Sequence, residues 1–289
     1  MASEFEKDPV TGIETTGHEW DGIKELNNPL PRWWLYVLYA TIVWSIAYWV
    51  AMPAWPTVSS YTKGLLGYSQ RERVAADLRQ AVESQSMYLD RIATSGLQTI
   101  LDDPELLEFS LAGGAAAFGD NCAPCHGTGA QGFLGYPNLN DDDWIWGGTL
   151  EEIQATLKYG IRADHEDTRF SEMPRFLKDE ILTRDQVRAV VAYVMALNDR
   201  AHDSGLAETG SIVFAENCAA CHGEDAKGSR EFGAPNLTNG IWLYGGEEAQ
   251  IYDMIANSRK GVMPAWEGRL SDETIKQLVI YVHSLGGGQ

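Results

Sequence analysis

Two copies of the pattern Cys-x-x-Cys-His, at Cys122/Cys125/His126 and Cys218/Cys221/His222, use all four cysteines of this 289-residue chain. With 4 Cys and 6 His, composition alone places the pattern about 0.001 times in such a chain. The surrounding segments repeat as well. FGDNCAPCHG is answered by FAENCAACHG, YPNLNDDDWIWGG by APNLTNGIWLYGG, EMPRF by VMPAW, and LTRDQVRAVVAYVMAL by LSDETIKQLVIYVHSL. The offset is 96 residues at Cys122/Cys218, 98 at Pro137/Pro235 and 90 at Met173/Met263. The first copy therefore carries an eight-residue insertion between Ile161 and Met173, in the stretch RADHEDTRF. A period near 96 is too long for a solenoid and indicates two copies of one domain.

Each copy ends with apolar residues at helical spacing: Val187, Val190, Val191 and Val194 in the first, Ile275, Leu278, Val279 and Val282 in the second. Thr183 with Gln186 has the form of a capping box at the start of the first of these helices. Gly, Pro and Asn crowd the segments between, and strand-like alternation is nearly absent. The fold class expected is all-α, with short helices wrapped by loops.

From Trp33 to Thr62 there is no Asp, Glu, Lys or Arg, and from Trp33 to Ala51 only Thr41 and Ser45 interrupt the apolar and aromatic residues. At 1.5 Å per residue, about 20 residues span a hydrocarbon layer of roughly 30 Å. Pro53 and Pro56 stop the helix, and Trp33, Trp34, Tyr48, Trp49 and Trp55 stand where aromatic belts are expected. A cleaved leader fits poorly behind a polar, acid-rich stretch, so the segment is expected to be a retained anchor in membrane lipid. The layout expected is a tail at 1–32, an anchor at 33–55, a helical connector at 56–108 and two domains at 109–200 and 201–289. The formal charge of -19 argues against nucleic acid and favours basic protein partners.

The chemistry follows from the repeated motif. Two thiols one helical turn apart can add to the two vinyl groups of haem, and the adjacent His offers an imidazole to the iron. Covalent attachment through Cys122, Cys125, Cys218 and Cys221 would give two haems c. A downstream Met can complete the coordination, and each copy has a Met-Pro at the corresponding place, Met173-Pro174 and Met263-Pro264. Pairing within each copy is expected: His126 with Met173 and His222 with Met263. Pro137 and Pro235 open Pro-Asn-Leu triplets whose proline carbonyl can accept from the His ring nitrogen; a plain turn is the alternative. A zinc site would need ligands converging from nearby segments, whereas a whole repeat separates these pairs. A thioredoxin-like pair would need a βαβ pattern. His165, in the insertion, is an alternative axial ligand.

Each copy resembles the class I cytochrome c fold, with Phe118 or Phe214 before the motif and Tyr193 or Tyr281 on the last helix. The whole chain, with DPVTGIETTGHEWDGIKELNNPLPRWW ahead of one apolar helix, resembles the dihaem subunit III (CcoP or FixP) family of cbb3-type cytochrome c oxidases. The resemblance implies an electron-transfer subunit, not itself catalytic, that accepts electrons from a c-type cytochrome. It implies delivery to a monohaem subunit and the oxygen-reducing haem-copper subunit. It also implies a single-pass protein of the bacterial inner membrane with residues 56–289 in the periplasm. A free-standing membrane-tethered electron shuttle and a dihaem peroxidase are the other functions compatible with the motifs. The peroxidase would need one haem with an open or displaceable ligand, which the matched Met-Pro pairs oppose.

Overall fold

A computed structural model describes residues 6–286, in two compact units that divide between residues 83 and 84. The first unit contains a hairpin that the sequence reading did not anticipate. Strand β1 (Thr15–Trp20) pairs antiparallel with β2 (Ile23–Leu26), with Trp20 opposite Ile23. Asp21 and Gly22 between them both have positive φ, 50° and 83°, as a two-residue hairpin turn of the primed type requires. Helix α1 (Arg32–Ala51) follows, with no buried residue, and is long and apolar enough to cross a membrane. It ends four residues before the expected limit of 55. Pro53 disfavours helical geometry at Met52, which is extended. The chain then doubles back, so that Leu65 and Leu66 donate to the carbonyls of Val50 and Ala51 at 2.9 and 3.0 Å. Gly64 makes this return possible, because a Cβ there would lie 2.4 Å from the Ala51 oxygen.

Helix α2 (Gln70–Thr94) leads into the second unit, which is wholly helical and loop-built: α3 (Leu97–Asp102), α4 (Pro104–Asn121), α5 (Ala123–His126), α6 (Leu150–Tyr159), α7 (Arg184–Ala196), α8 (Ser204–Asn217), α9 (Ala219–His222), α10 (Glu248–Asn257) and α11 (Asp272–Ser284). Helix starts carry the local chemistry that their unpaired N–H groups need. The Asp103 carboxylate accepts from the amides of Glu105 and Leu106, so α4 begins five residues ahead of the boundary expected at 109. Thr183 and Gln186 form the capping box expected for α7.

Packing does not follow the repeat. The closing helix of the second copy, α11, lies on α4 and α6 of the first, and the closing helix of the first copy, α7, lies on α8 and α10 of the second. One core therefore joins Phe118, Cys122, Leu150, Ile153 and Leu157 to Trp266, Ile275, Leu278, Val279 and Val282. The other joins Phe176, Val187, Val190, Val191 and Val194 to Phe214, Cys218, Ile251 and Ile255. The physical reason lies in the connection of residues 197–203, which is short enough to turn α7 directly onto α8 as an antiparallel pair. Helix α11 is left to cover α4. Residues 109–200 and 201–289 are thus two copies in sequence that exchange their closing elements in space.

Both crossings are close. A Cβ on Gly114 of α4 would meet the Gln277 carbonyl oxygen at 2.3 Å, and one on Gly210 of α8 would meet the Ala189 oxygen at 1.9 Å. Phe118 then reaches Tyr281 at 5.4 Å between ring centres, and Phe214 reaches Tyr193 at 5.2 Å. The end of the connector belongs to the first core, where Ile92, Leu97 and Ile100 are buried. Lys276 of α11 fastens it there by donating to the carbonyls of Ile92, Ala93 and Ser95 at 2.9, 2.8 and 2.8 Å. A cation placed on the last carbonyls of a helix is favoured by the helix dipole.

Gly114→Val and Gly210→Val should each cost about 1–3 kcal/mol or more in denaturant unfolding, because the helices must separate to admit the side chain. Gly119→Ala, in the same helix with open space around its Cβ position, should instead stabilise by about 0.5–1 kcal/mol. Equal effects at Gly114 and Gly119 would contradict the close crossing.

Candidate functional site

Each motif is one turn of helix set on the end of a longer one. At Cys122 the chain leaves α4, and α5 carries Cys125 and His126, whose amides both donate back to the Cys122 carbonyl, at 3.1 and 2.9 Å. Gly127, at φ 83°, ends the turn. Cys218, Cys221, His222 and Gly223 repeat this arrangement at the end of α8.

In each motif the first thiol is buried and the second exposed, and all four cysteines are free. Burial, reinforced by the neighbouring thiol, pushes Cys122 and Cys218 up to about 11. Both are therefore protonated at neutral pH in the free chain. No group of three or more His, Cys, Asp or Glu placed to hold a metal ion occurs among the described residues.

The histidines are oriented alike. The Nδ1–H of His126 donates to the Pro137 carbonyl at 3.1 Å, and that of His222 to the Pro235 carbonyl at 3.1 Å. The Pro-Asn-Leu loops are pinned below by Leu139 on Ala130 and Leu237 on Ala226, each at 2.8 Å. Burial lowers the pKa of both imidazoles, with the proline carbonyl opposing it, so each ring is neutral with its Nε2 lone pair available to a metal.

The methionines pack across the copies. Met263 packs with the core of Cys122, and Met173 with the core of Cys218. Backbone contacts enforce the exchange: Met263 and Ile161 exchange two hydrogen bonds of 3.0 Å, and Trp266 donates to Leu157 at 3.0 Å. On the other side Phe176 donates to Ile255 at 3.1 Å. Each methionine thus packs with the core of the other copy's motif and not with its own. His165 is directed elsewhere, with Nε2 on Glu267 at 3.2 Å, Nδ1 accepting from the Asp167 amide at 3.0 Å, and its ring against Tyr159.

Sequence reasoning missed Trp144 and Trp242, although they stand at matching places in the repeat. Trp144 packs on the first core and Trp242 on the second. The Trp144 Nε1–H is buried with no acceptor, a position that the carboxylate of an anionic cofactor would satisfy. Between the two Pro-Asn-Leu loops lies a cleft of about 270 Å³ lined by Pro137, Pro235, Asp143 and Trp242. The two copies are also linked by Gly135, which donates to the Leu243 carbonyl at 2.7 Å, and by Asn239, which donates to Asp143 at 3.1 Å.

Comparison with known proteins places these features in one family. Residues 12–59 match the N-terminal domain of cytochrome oxidase-cbb3, FixP; residues 111–198 match cytochrome c; and residues 205–282 match cytochrome C oxidase, cbb3-type, subunit III. The cbb3-type cytochrome c oxidase subunit FixP of Bradyrhizobium sp. (strain ORS 278) is 54% identical over 290 residues, covering 100% of both chains. Subunit CcoP of Azospirillum brasilense is 53% identical over 98% of this chain and 99% of its own. Subunit FixPc of Rhizobium leguminosarum bv. viciae is 55% identical over 99% of each. With two cytochrome c segments behind one membrane-length helix, and full-length relatives at this identity, the chain belongs to the FixP/CcoP family, subunit III of cbb3-type cytochrome c oxidases.

Proposed function

We propose that the chain binds two haems c and relays electrons through them to the other subunits of a cbb3-type oxidase, without carrying out oxygen chemistry itself. The observation that carries this reading is the duplicated site, a Cys-x-x-Cys-His turn whose imidazole is oriented by a proline carbonyl and whose core contains the Met of the other repeat. Cys122, Cys125, His126 and Met263 would hold one haem, and Cys218, Cys221, His222 and Met173 the other. The buried Trp144 N–H fits the same cofactor.

Bound haem supplies a one-electron Fe(III)/Fe(II) couple at each site. The chain's own residues do the rest. Pro137 and Pro235 hold the imidazole tautomer, the thioether of each Met favours the reduced metal, and the crossed helices fix both sites in one body. The core containing Cys122 incorporates the connector from the anchor, so it is the one we assign to delivery towards the oxygen-reducing and monohaem subunits. The core containing Cys218 then faces the donor, a basic c-type cytochrome drawn by the net charge of -19. Helix α1 anchors the chain in the bacterial inner membrane with the haem-bearing unit in the periplasm, where covalent haem attachment is expected.

The axial pairing is open to direct test. A Cys122→Ala/Cys125→Ala chain, left with one haem, should keep its thioether-to-iron charge-transfer band; adding Met173→Ala should abolish the band, and adding Met263→Ala should not. The opposite dependence would return the pairing to within each repeat. Orientation is tested separately, since protease added to intact spheroplasts should degrade the haem-staining domains, and their protection would contradict a periplasmic location.

A further inference from the structure

The insertion that distinguishes the first copy has no part in the sites as assigned above, yet it carries the contacts between the two methionine loops. Ile161, at its start, holds Met263 through the two backbone bonds already described. The next residue, Arg162, stands at φ 52°, a left-handed conformation that side chains other than glycine rarely adopt. Its amide donates to the Arg169 carbonyl at 2.8 Å, which closes the insertion on itself.

This turn sends the half-buried guanidinium of Arg162 in two directions. Nε donates to the Gly261 carbonyl at 2.7 Å, and Nη1 donates to the Ser171 carbonyl at 2.9 Å. Gly261 stands two residues before Met263 and Ser171 two before Met173, so one side chain grips both loops at the same place. The far end of the insertion is fixed independently. Arg169 donates to the carbonyls of Trp146 at 2.7 Å and Glu152 at 3.1 Å, with its guanidinium over the Trp146 ring. Lys260 and Glu172 also pair across the two loops at 2.5 Å, but both are well exposed and such pairs contribute little. The second copy has no equivalent: at the offset of Pro137/Pro235, Ile161 and Arg162 correspond to Arg259 and Lys260, and Arg259 is spent on Asp253 of the preceding helix.

We propose that Arg162 is a positioning residue for both axial methionines and that its fixed charge raises the potential of both haems together. The proposal rests on the reading of Met173 and Met263 as axial ligands. The planar, permanently charged fork of Arg suits it to hold two carbonyls in fixed directions, which a flexible ammonium does not. A cation close to both loops favours the reduced, less positive state of each metal. Because the two sites share that charge, removing it moves both potentials in the same direction and leaves the gap between them little changed.

In the full chain within the assembled oxidase, Arg162→Gln should lower the potential of both haems c. At a fixed redox poise the reduced-to-oxidised ratio of each should fall roughly threefold to tenfold, tenfold being 59 mV for one electron. The thioether-to-iron band of both should weaken or shift. Arg162→Lys, which keeps the charge and loses the fork, should restore the potentials and leave both bands altered. A change confined to one haem, or no change in either at full haem content, would overturn the proposal. Should Arg162→Gln fail to take up haem, Arg162→Lys decides the matter: altered bands at both haems support the shared grip, and unaltered bands refute it. Met173→Ala and Met263→Ala separate the two readings. If neither removes a thioether band, the ligand assignment itself fails; if each removes its share while Arg162→Gln is silent, only the role of Arg162 does.

Discussion

Where α11 crosses α4 and α7 crosses α8, a glycine on one helix meets the backbone of the other, and the rest of the haem-bearing unit is organised by those two approaches. Gly114 and Gly210 admit the carbonyls of Gln277 and Ala189 to distances that no side chain would leave. Each crossing buries an aliphatic face, Ile275, Leu278, Val279 and Val282 in one and Val187, Val190, Val191 and Val194 in the other. Burial stabilises by roughly 1.5–3 kcal/mol for each such side chain. Since each motif turn, α5 or α9, extends directly from the crossed helix, the position of His126 and His222 is set by the same contact.

The exchange joins two repeats into one body. A relay between two redox centres depends on their relative placement, and a flexible linker between independent domains would leave that placement free. Here the connection at 197–203 only returns the chain, while the cores themselves carry segments of both copies. Lys276 of α11 adds the C-terminal end of α2 to this body through the carbonyls of Ile92, Ala93 and Ser95. The two proposed sites consequently differ in surroundings despite their matched sequences. Met263 is held by a backbone bridge to Ile161, and Met173 has no such bridge among the described residues.

Local chemistry was legible in the chain, and partnership was not. The capping box at Thr183, the hydrogen bonds from His126 and His222 to the carbonyls of Pro137 and Pro235, and the long apolar helix α1 depend on residues close in sequence, and each of them is present in the structure. The crossed pairing escaped because both copies present the same apolar face: Val187 to Val194 and Ile275 to Val282 fit either Phe118 or Phe214 equally well. Only the short connection between α7 and α8 held the clue. The β1–β2 hairpin was signalled by Asp21-Gly22 alone, since Gly17 and a run of polar residues obscure the alternation of TTGHEW. Arg162 was hidden in a stretch whose acidic residues read as a solvated loop, and its role emerges only when Gly261, 99 residues further on, is brought beside it.

The exchange of closing helices is tested most directly by zero-length cross-linking of the unmodified chain. Lys158 of α6 has its ammonium 3.4 Å from Glu267, just before α11, and 3.3 Å from Asp272, the first residue of α11, both a repeat away in sequence. Carbodiimide treatment followed by peptide mass spectrometry should yield amide links from Lys158 to Glu267 or Asp272. Links from Lys158 to Asp179, ahead of the closing helix of its own repeat, or to Asp185 in its first turn, with none to Glu267 or Asp272, would contradict the crossed arrangement.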